Sequence, residues 1–390
     1  TIIDWKEINS FPIPTANNAA LTSVFKNSKS PTKDITKKSR TLYVAGAFNL
    51  DARKLPKALS LRAGPGWSPN IIPPVQEAQV TVVKPGLETL RKAIGSAVSG
   101  STLFLETGEY FSEKKIKITK DITIIGDIGG ATIIAANKNI KKPIDYLFRV
   151  EENVTFKLSH VFIDGKNSNL KYAIVSPDKL QGASYNLFVD TVTFQNFKNK
   201  KGGSVFKAYN GTKADTLSFV NSRFENNYRG LNLSYDNKNM GMFNANFIVL
   251  KNSVFKNIEE SAINYVRKIP NNMISGGDLL VENCVFYNVD NREKGKIIKA
   301  DGIHRVKIVN SVFDNSYKIK TPIVLKGISQ QISNCLINNS GYVKISQGAR
   351  KSDLLYKSPK WEDKILFIPS KKSVLLKEKN KKAAIGLLQK

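Results

Sequence analysis

Asn221-Ser-Arg-Phe224-Glu-Asn226, Asn252-Ser-Val-Phe255-Lys-Asn257, Asn283-Cys-Val-Phe286-Tyr-Asn288 and Asn310-Ser-Val-Phe313-Asp-Asn315 are four copies of one phrase. A worn fifth follows at Asn334-Cys-Leu-Ile337-Asn-Asn339. Two earlier copies keep the Phe and lose the first Asn, at Thr191-Val-Thr-Phe194-Gln-Asn196 and Ser159-His-Val-Phe162-Ile-Asp164. From Phe162 the steps are 32, 30, 31, 31 and 27 residues, then 24 to Ile337. A period of this length marks stacked units, each contacting only its neighbours.

Alternating apolar residues precede each phrase, as in Leu217-Ser-Phe-Val220, Phe247-Ile-Val-Leu250 and Val306-Lys-Ile-Val309. That period reads as strand. A second strand follows each phrase: Leu231-Asn-Leu, Ile263-Asn-Tyr, Ile297-Ile-Lys, Ile323-Val-Leu and Val343-Lys-Ile. Repeats made only of short strands and turns predict an all-β fold, a parallel β-helix. In it Phe224, Phe255, Phe286 and Phe313 stack inside at about the 4.8 Å interstrand spacing. The Asn residues form amide ladders at the corners, where Asn tolerates the left-handed backbone that a corner needs.

Around this core the chain changes character. Residues 1–80 are proline-rich and off the repeat, an irregular extension or linker with one strand candidate at 41–45. The repeat fills 81–350, and 351–390 form a C-terminal cap or tail. Leu87, Leu90, Ile94, Ala97 and Val98 have helical spacing after Pro85, predicting an amphipathic helix over 84–99 that caps the first coil.

The 390 residues carry 60 Lys+Arg against 32 Asp+Glu, a net charge of +28. Such a surface attracts polyanions, or is simply the solvated outer face of a lysine-rich chain. No nucleic-acid-binding motif accompanies the charge, so an acidic polysaccharide is the expected partner. No apolar run reaches 18 residues, so no membrane span is expected. The chain starts at Thr1 with no leader pattern, as a processed chain or a piece would. Cys284 and Cys335 fall two coils apart, roughly 10 Å, beyond disulfide reach. Both read as buried small residues.

The stretches "PGLETLRKAIGSAVSGSTLFLETGEY" and "KITKDITIIGD" resemble the opening of pectate-lyase-like right-handed β-helices. "NCVFYNV", "GKIIKADGIHRVKIVNSVFDNS" and "PIVLKG" resemble polysaccharide lyase family six, the alginate lyase and chondroitinase-B group. The chain looks most like the C-terminal β-helix of two-domain members, and "LSLRAGPGW" at 59–67 is similar to the phrase closing their first domain. The resemblance implies a secreted, periplasmic or outer-surface bacterial protein, a uronate polymer as substrate, and a catalytic β-helix in the same parent chain as a partner. It also implies calcium in the family, held by Glu-x-Glu, with a catalytic Lys-Ser and an Arg-His-Gly on the next coil. Here the matching stretch is Lys294-Gly-Lys296-Ile-Ile-Lys299-Ala-Asp301 and then Leu325-Lys326-Gly327. The calcium carboxylates are lysines, Asp301 stands at the catalytic Lys position and Lys326 at the Arg position. No cofactor and no metal ligand is therefore assigned.

Eliminative cleavage of a uronate polymer needs a cation on the C6 carboxylate, a base for H5 and an acid for the leaving oxygen. The strand after each corner offers such groups, with Lys299 serving if the register shifts. Tyr265, Arg267 and Lys299 are the expected catalytic residues. Arg229, Asn232, Asn264, Lys326 and Lys344 are expected to bind substrate, as a basic strip about 25 Å long, with Tyr228 and Lys268 beside them. Asn232 and Asn264 also fit a further ladder, and any one Lys fits a solvated face. His304 reads as surface or structure. Glu259-Glu260 and Glu282 are poor calcium candidates, because adjacent strand residues point to opposite faces. The sequence leaves open a lyase, a non-catalytic glycan-binding or accessory β-helix, and a virion or adhesin solenoid.

Overall fold

The computed structural model describes residues 79–376 except 141–142, 167–169, 179–182, 210, 234–243, 268–275, 290–294, 319 and 346–349. It also describes 385–387 and, earlier in the chain, 5–8, 11–14, 33 and 39. The chain divides into two compact units, Thr1–Gln76 and Glu77–Lys390. In the first, Trp5–Ile8 pairs antiparallel with Phe11–Pro14, and Lys33 bridges Ser39. The strand expected at 41–45 and the phrase at 59–67 lie outside the described residues.

The second unit is a parallel β-helix. Each strand of the stack pairs in parallel with the strand one coil on, so three sheets run its length, while Trp361–Asp363 and Ile368–Pro369 form a separate antiparallel pair. The first sheet holds the strands before each phrase, such as Ala214–Val220, Ala245–Lys251 and Gly276–Glu282. The second holds the phrase itself, as Arg223–Glu225, Val254–Ile258, Val285–Val289 and Val312–Asp314. The third holds Tyr146–Val150, Tyr172–Val175, Ser204–Lys207, Arg229–Leu233 and Ser261–Val266, then 298–301, 323–326 and Val343–Ile345. In two coils the strand runs on from the third sheet into the first, over Ile298–Val309 and Ile323–Asn338. Gly302, at φ 76°, makes the corner in the first of these.

The phenylalanines stack as the period predicts. Phe194, Phe224, Phe255, Phe286, Phe313 and Ile337 are register partners in turn. The ring centroids of Phe224–Phe255, Phe255–Phe286 and Phe286–Phe313 lie 4.3, 5.0 and 4.9 Å apart, with interplanar angles of 7°, 11° and 4°. Each ring is fully buried. Burial of each contributes about 1.5–3 kcal/mol, and each ring pair adds about 0.5–1.5 kcal/mol.

Both Asn columns take the left-handed conformation, from φ 45° at Asn339 to φ 66° at Asn196. Their amides form ladders: Asn252 Nδ2 donates to Asn221 Oδ1 at 2.8 Å, Asn257 to Asn226 at 3.0 Å and Asn288 to Asn257 at 2.7 Å. One side chain thus supplies the backbone permission and the coil-to-coil bond. Between the columns runs a line of small residues, where Ser253 Oγ accepts the Ser222 N–H at 3.1 Å. Cys284 and Cys335 occupy this line as free, buried thiols, and burial pushes both up to about 12.

The cap is shorter than expected. Gly86–Leu87 pairs in parallel with Tyr110 and Phe111, so helix α1 spans only Thr89–Ser96 and buries Leu90 and Ile94 over the first coil. At the other end, Phe367, Leu375 and Ile385 cover an outward apolar column of the second sheet, Val254, Val285, Val312 and Leu336. Gly386 ties into the corner, accepting from Asn283 Nδ2 at 3.1 Å and donating to Asn310 O at 2.7 Å.

Candidate functional site

Alternation in the third sheet sends one residue of each strand inward and the next outward. The inward set runs Phe148, Ile174, Phe206, Leu231, Ile263, Ile298, Ile323 and Val343. The outward set beside it is Arg149, Val175, Lys207, Asn232, Asn264, Lys299, Val324 and Lys344, one per coil. Seven steps at about 4.8 Å make a polar track of roughly 34 Å, longer than the expected strip and differently composed.

Four of the expected residues share this column: Asn232, Asn264, Lys299 and Lys344. The others are elsewhere. Tyr265 is corrected: it partners Leu233 and Ala300 on the inward side, is 1% exposed, and its hydroxyl donates to Ala245 O at 2.6 Å. It cannot meet a substrate. Arg267 follows the strand and is buried, its backbone N–H donating to Asp301 O at 2.8 Å. Lys326 belongs to the column of Val266 and Asp301, with Nζ 3.7 Å from Asp301 Oδ2. Arg229 is the first residue of its third-sheet strand and forms a bidentate pair with Glu260, both contacts 2.7 Å, its guanidinium 5.1 Å from the Tyr228 ring centroid. Lys268 lies outside the described residues. His304 Nδ1 is 3.6 Å from Asp278 on the first sheet.

The third residue of the track, Lys207, is one the sequence reading missed. Lys207 is only 5% exposed on an outward position. Burial, and then the nearby Arg229 charge, push its amine down to about 8. A large fraction is therefore neutral in mildly alkaline water, which an exposed lysine is not. The turn after it is pinned from both sides. Ser176 Oγ, one coil below, accepts the Tyr209 N–H at 2.8 Å, and Asn244 Nδ2, from the coil above, donates to Tyr209 O at 3.0 Å. Tyr209 is half-buried, within electrostatic reach of Tyr172, Tyr146, Asp145 and Asp178. Burial first, and those neighbours next, raise its phenol, so it stays protonated. Arg149 lies two coils below Lys207, held by Glu151 at 2.7 Å and Asp178 at 2.5 Å. On the other side, the Asn264 Oδ1 is buried with no hydrogen-bond partner among the described residues. The repeat period could have found Lys207: Ser204-Val-Phe206-Lys207 sits one coil before Leu231-Asn232, so the residue after its Phe falls in the Asn232 column.

The residues do not fit a calcium site of the kind the family resemblance implies. Lys296 and Lys299 occupy the matching stretch. Glu260 is engaged by Arg229, and Glu282 by Lys251 at 3.0 Å. No group of three or more His, Cys, Asp or Glu among the described residues could hold a metal ion.

No protein-family model matches the chain, and no curated protein does. Solved structures share its fold. The PL6 family alginate lyase AlyGC aligns at 18% identity with a TM-score of 0.58, over 83% of this chain and 46% of that one. An arginine-to-alanine mutant of AlyGC aligns at 18% identity with a TM-score of 0.52, over 92% and 45%. The chain thus shares the parallel β-helix fold of these structures, and it spans just under half of their length. No helix among the described residues is long and apolar enough to cross a membrane.

Proposed function

We propose that this chain, built on a parallel β-helix, binds an acidic uronate polysaccharide along the outer face of the third sheet and cleaves it by β-elimination. The observation that carries the reading is Lys207, a buried lysine on the outward track, its amine pushed down to about 8 by burial and Arg229. Net charge of +28 draws the polymer to the surface. Repeating carboxylates meet Lys299 and Lys344, while the Asn232 and Asn264 amides bond to sugar hydroxyls.

In the cleavage step the neutral Lys207 amine takes the proton from C5, adjacent to the carboxylate. The electron pair left on C5 forms the C4–C5 double bond, and the C4–O4 bond breaks. Tyr209, kept protonated by its surroundings, gives its proton to the departing O4. Water then returns a proton from the Lys207 ammonium to the phenolate, and the site is restored. Charge on the C6 carboxylate is offset by the amide donors and the basic track rather than by a metal held at the Lys294–Asp301 stretch.

The second reading is a non-catalytic β-helix, the accessory half of a longer lyase or a surface glycan-binding protein. It is favoured by the lysines standing where the family resemblance implies metal-binding carboxylates. Incubation with alginate, polygalacturonate and chondroitin sulfate B, followed by ultraviolet absorbance of the unsaturated product, separates the two. Product formation supports cleavage. Salt-sensitive binding with no product sinks it and leaves the binding reading. Both readings place the protein outside the cell, where such polymers occur.

A further inference from the structure

The corner between the second and third sheets carries a feature that the outer-face track does not use. Two hollows of 580 and 640 Å³ share Pro143 and Ile144 as a common wall. Lys171, Lys198, Lys200 and Lys201 line one, and Lys114 and Lys115 line the other together with Glu113, which accepts from Asn137 Nδ2 at 2.8 Å. Asp145 lies between them, 3.4 Å from Lys171 Nζ and 3.7 Å from Lys115 Nζ, and so braces three coils. Among the described residues, no carboxylate pairs with Lys114, Lys198, Lys200 or Lys201, and all four are exposed. The groove therefore keeps an excess of positive charge, six lysines against Asp145 and Glu113.

We propose that this lysine groove is a second anion-binding subsite, which holds sugars of the same acidic polysaccharide beyond those lying on the third sheet. The inference rests on the reading of that sheet as a polyanion track. The groove opens at Lys171, four residues before Val175 of the track, roughly 13 Å along the strand. A polymer that crosses the lower coils reaches both. Lysines act as point charges without the fixed fork of arginine, so the groove selects for charge spaced along a chain rather than for one anion's shape. Its role is to give the site a preference for long chains.

The test compares the full chain with a Lys198→Ala/Lys200→Ala/Lys201→Ala variant, whose substitutions fall on exposed side chains. Binding of polymeric alginate and of a uronate trisaccharide is measured at several salt concentrations. A charge-reversed Lys198→Glu/Lys201→Glu variant and thermal melting guard against a folding effect. The expected result is a roughly tenfold loss of polymer affinity with a shallower salt dependence, and unchanged trisaccharide binding. Unchanged polymer affinity overturns the subsite, as does an equal loss for both lengths or an equal loss for duplex DNA. Failure of the unmodified chain to bind either saccharide overturns the functional reading itself, and the subsite with it.

Discussion

Lys207 and Arg229 stand on neighbouring coils of the third sheet, and the guanidinium charge adds to burial in pushing the lysine amine down to about 8. Arg229 stays in place because Glu260 grips it with two hydrogen bonds of 2.7 Å. A buried cation beside a second cation is costly to the fold. Costs of this kind concentrate at functional sites.

That cost gives a stability prediction with a definite sign. The folded-state pKa of Lys207 lies below that of an unfolded lysine, so the unfolded chain binds more protons between about pH 8 and 10.4. The penalty is fully present below pH 8 and is relieved as pH rises through that window. Lys207→Met should therefore raise the melting temperature at pH 7, by a free energy on the order of 3 kcal/mol, and the gain should shrink toward pH 10. A destabilised variant at pH 7 would contradict the burial penalty.

Phe255 sits between two stacked neighbours at 4.3 and 5.0 Å. Phe255→Ala should cost about 3–5 kcal/mol, and Phe255→Leu much less, as read by chemical denaturation. Similar small losses for both would mean that the stack relaxes into the gap.

Asn257 combines φ 55° with a ladder bond to Asn226 and another from Asn288. Asn257→Gly keeps the backbone permission and loses the ladder. Asn257→Ala loses both and should be less stable than the Gly variant by about 1–2 kcal/mol. Equal stabilities would show that the left-handed backbone is not what fixes Asn there.

Tyr265 and Gly277 are coupled. Gly277 has φ 82°, and a Cβ there would overlap the Tyr265 hydroxyl. Gly277→Ala should destabilise strongly, and Tyr265→Phe in the same chain should recover part of the loss, a double-mutant cycle with favourable coupling. Tyr265→Phe alone should cost about 1 kcal/mol for its bond to Ala245 and leave any cleavage rate unchanged.

The coil geometry was legible because it repeats. One Phe and two Asn per turn, at a near-constant step, require the inward stack and the left-handed corners, and both are present. The site was legible only in part. Ile263-Asn264-Tyr265 alternates, so its own pattern puts Tyr265 on the same side as Ile263, inside; reading the tyrosine as chemistry overrode that. Lys207 escaped for a different reason. Its depressed amine comes from burial and from Arg229, a neighbour on the next coil that no local window contains. The helix began late because Gly86 and Leu87 were taken by strand pairing with Tyr110 and Phe111, a tertiary contact that helical spacing cannot reveal.

The central claim is that Lys207 is the base. The direct measurement is the rate of unsaturated product formation from alginate or a related uronate polymer against pH, for the unmodified chain and for Lys207→Met, alongside polymer binding. The account predicts a rate that rises with pH and levels off above about 8, abolished in Lys207→Met while the variant still binds polymer within a few-fold. A Lys207→Met variant that cleaves at the normal rate, or an unmodified chain that binds but yields no product at any pH, would contradict it.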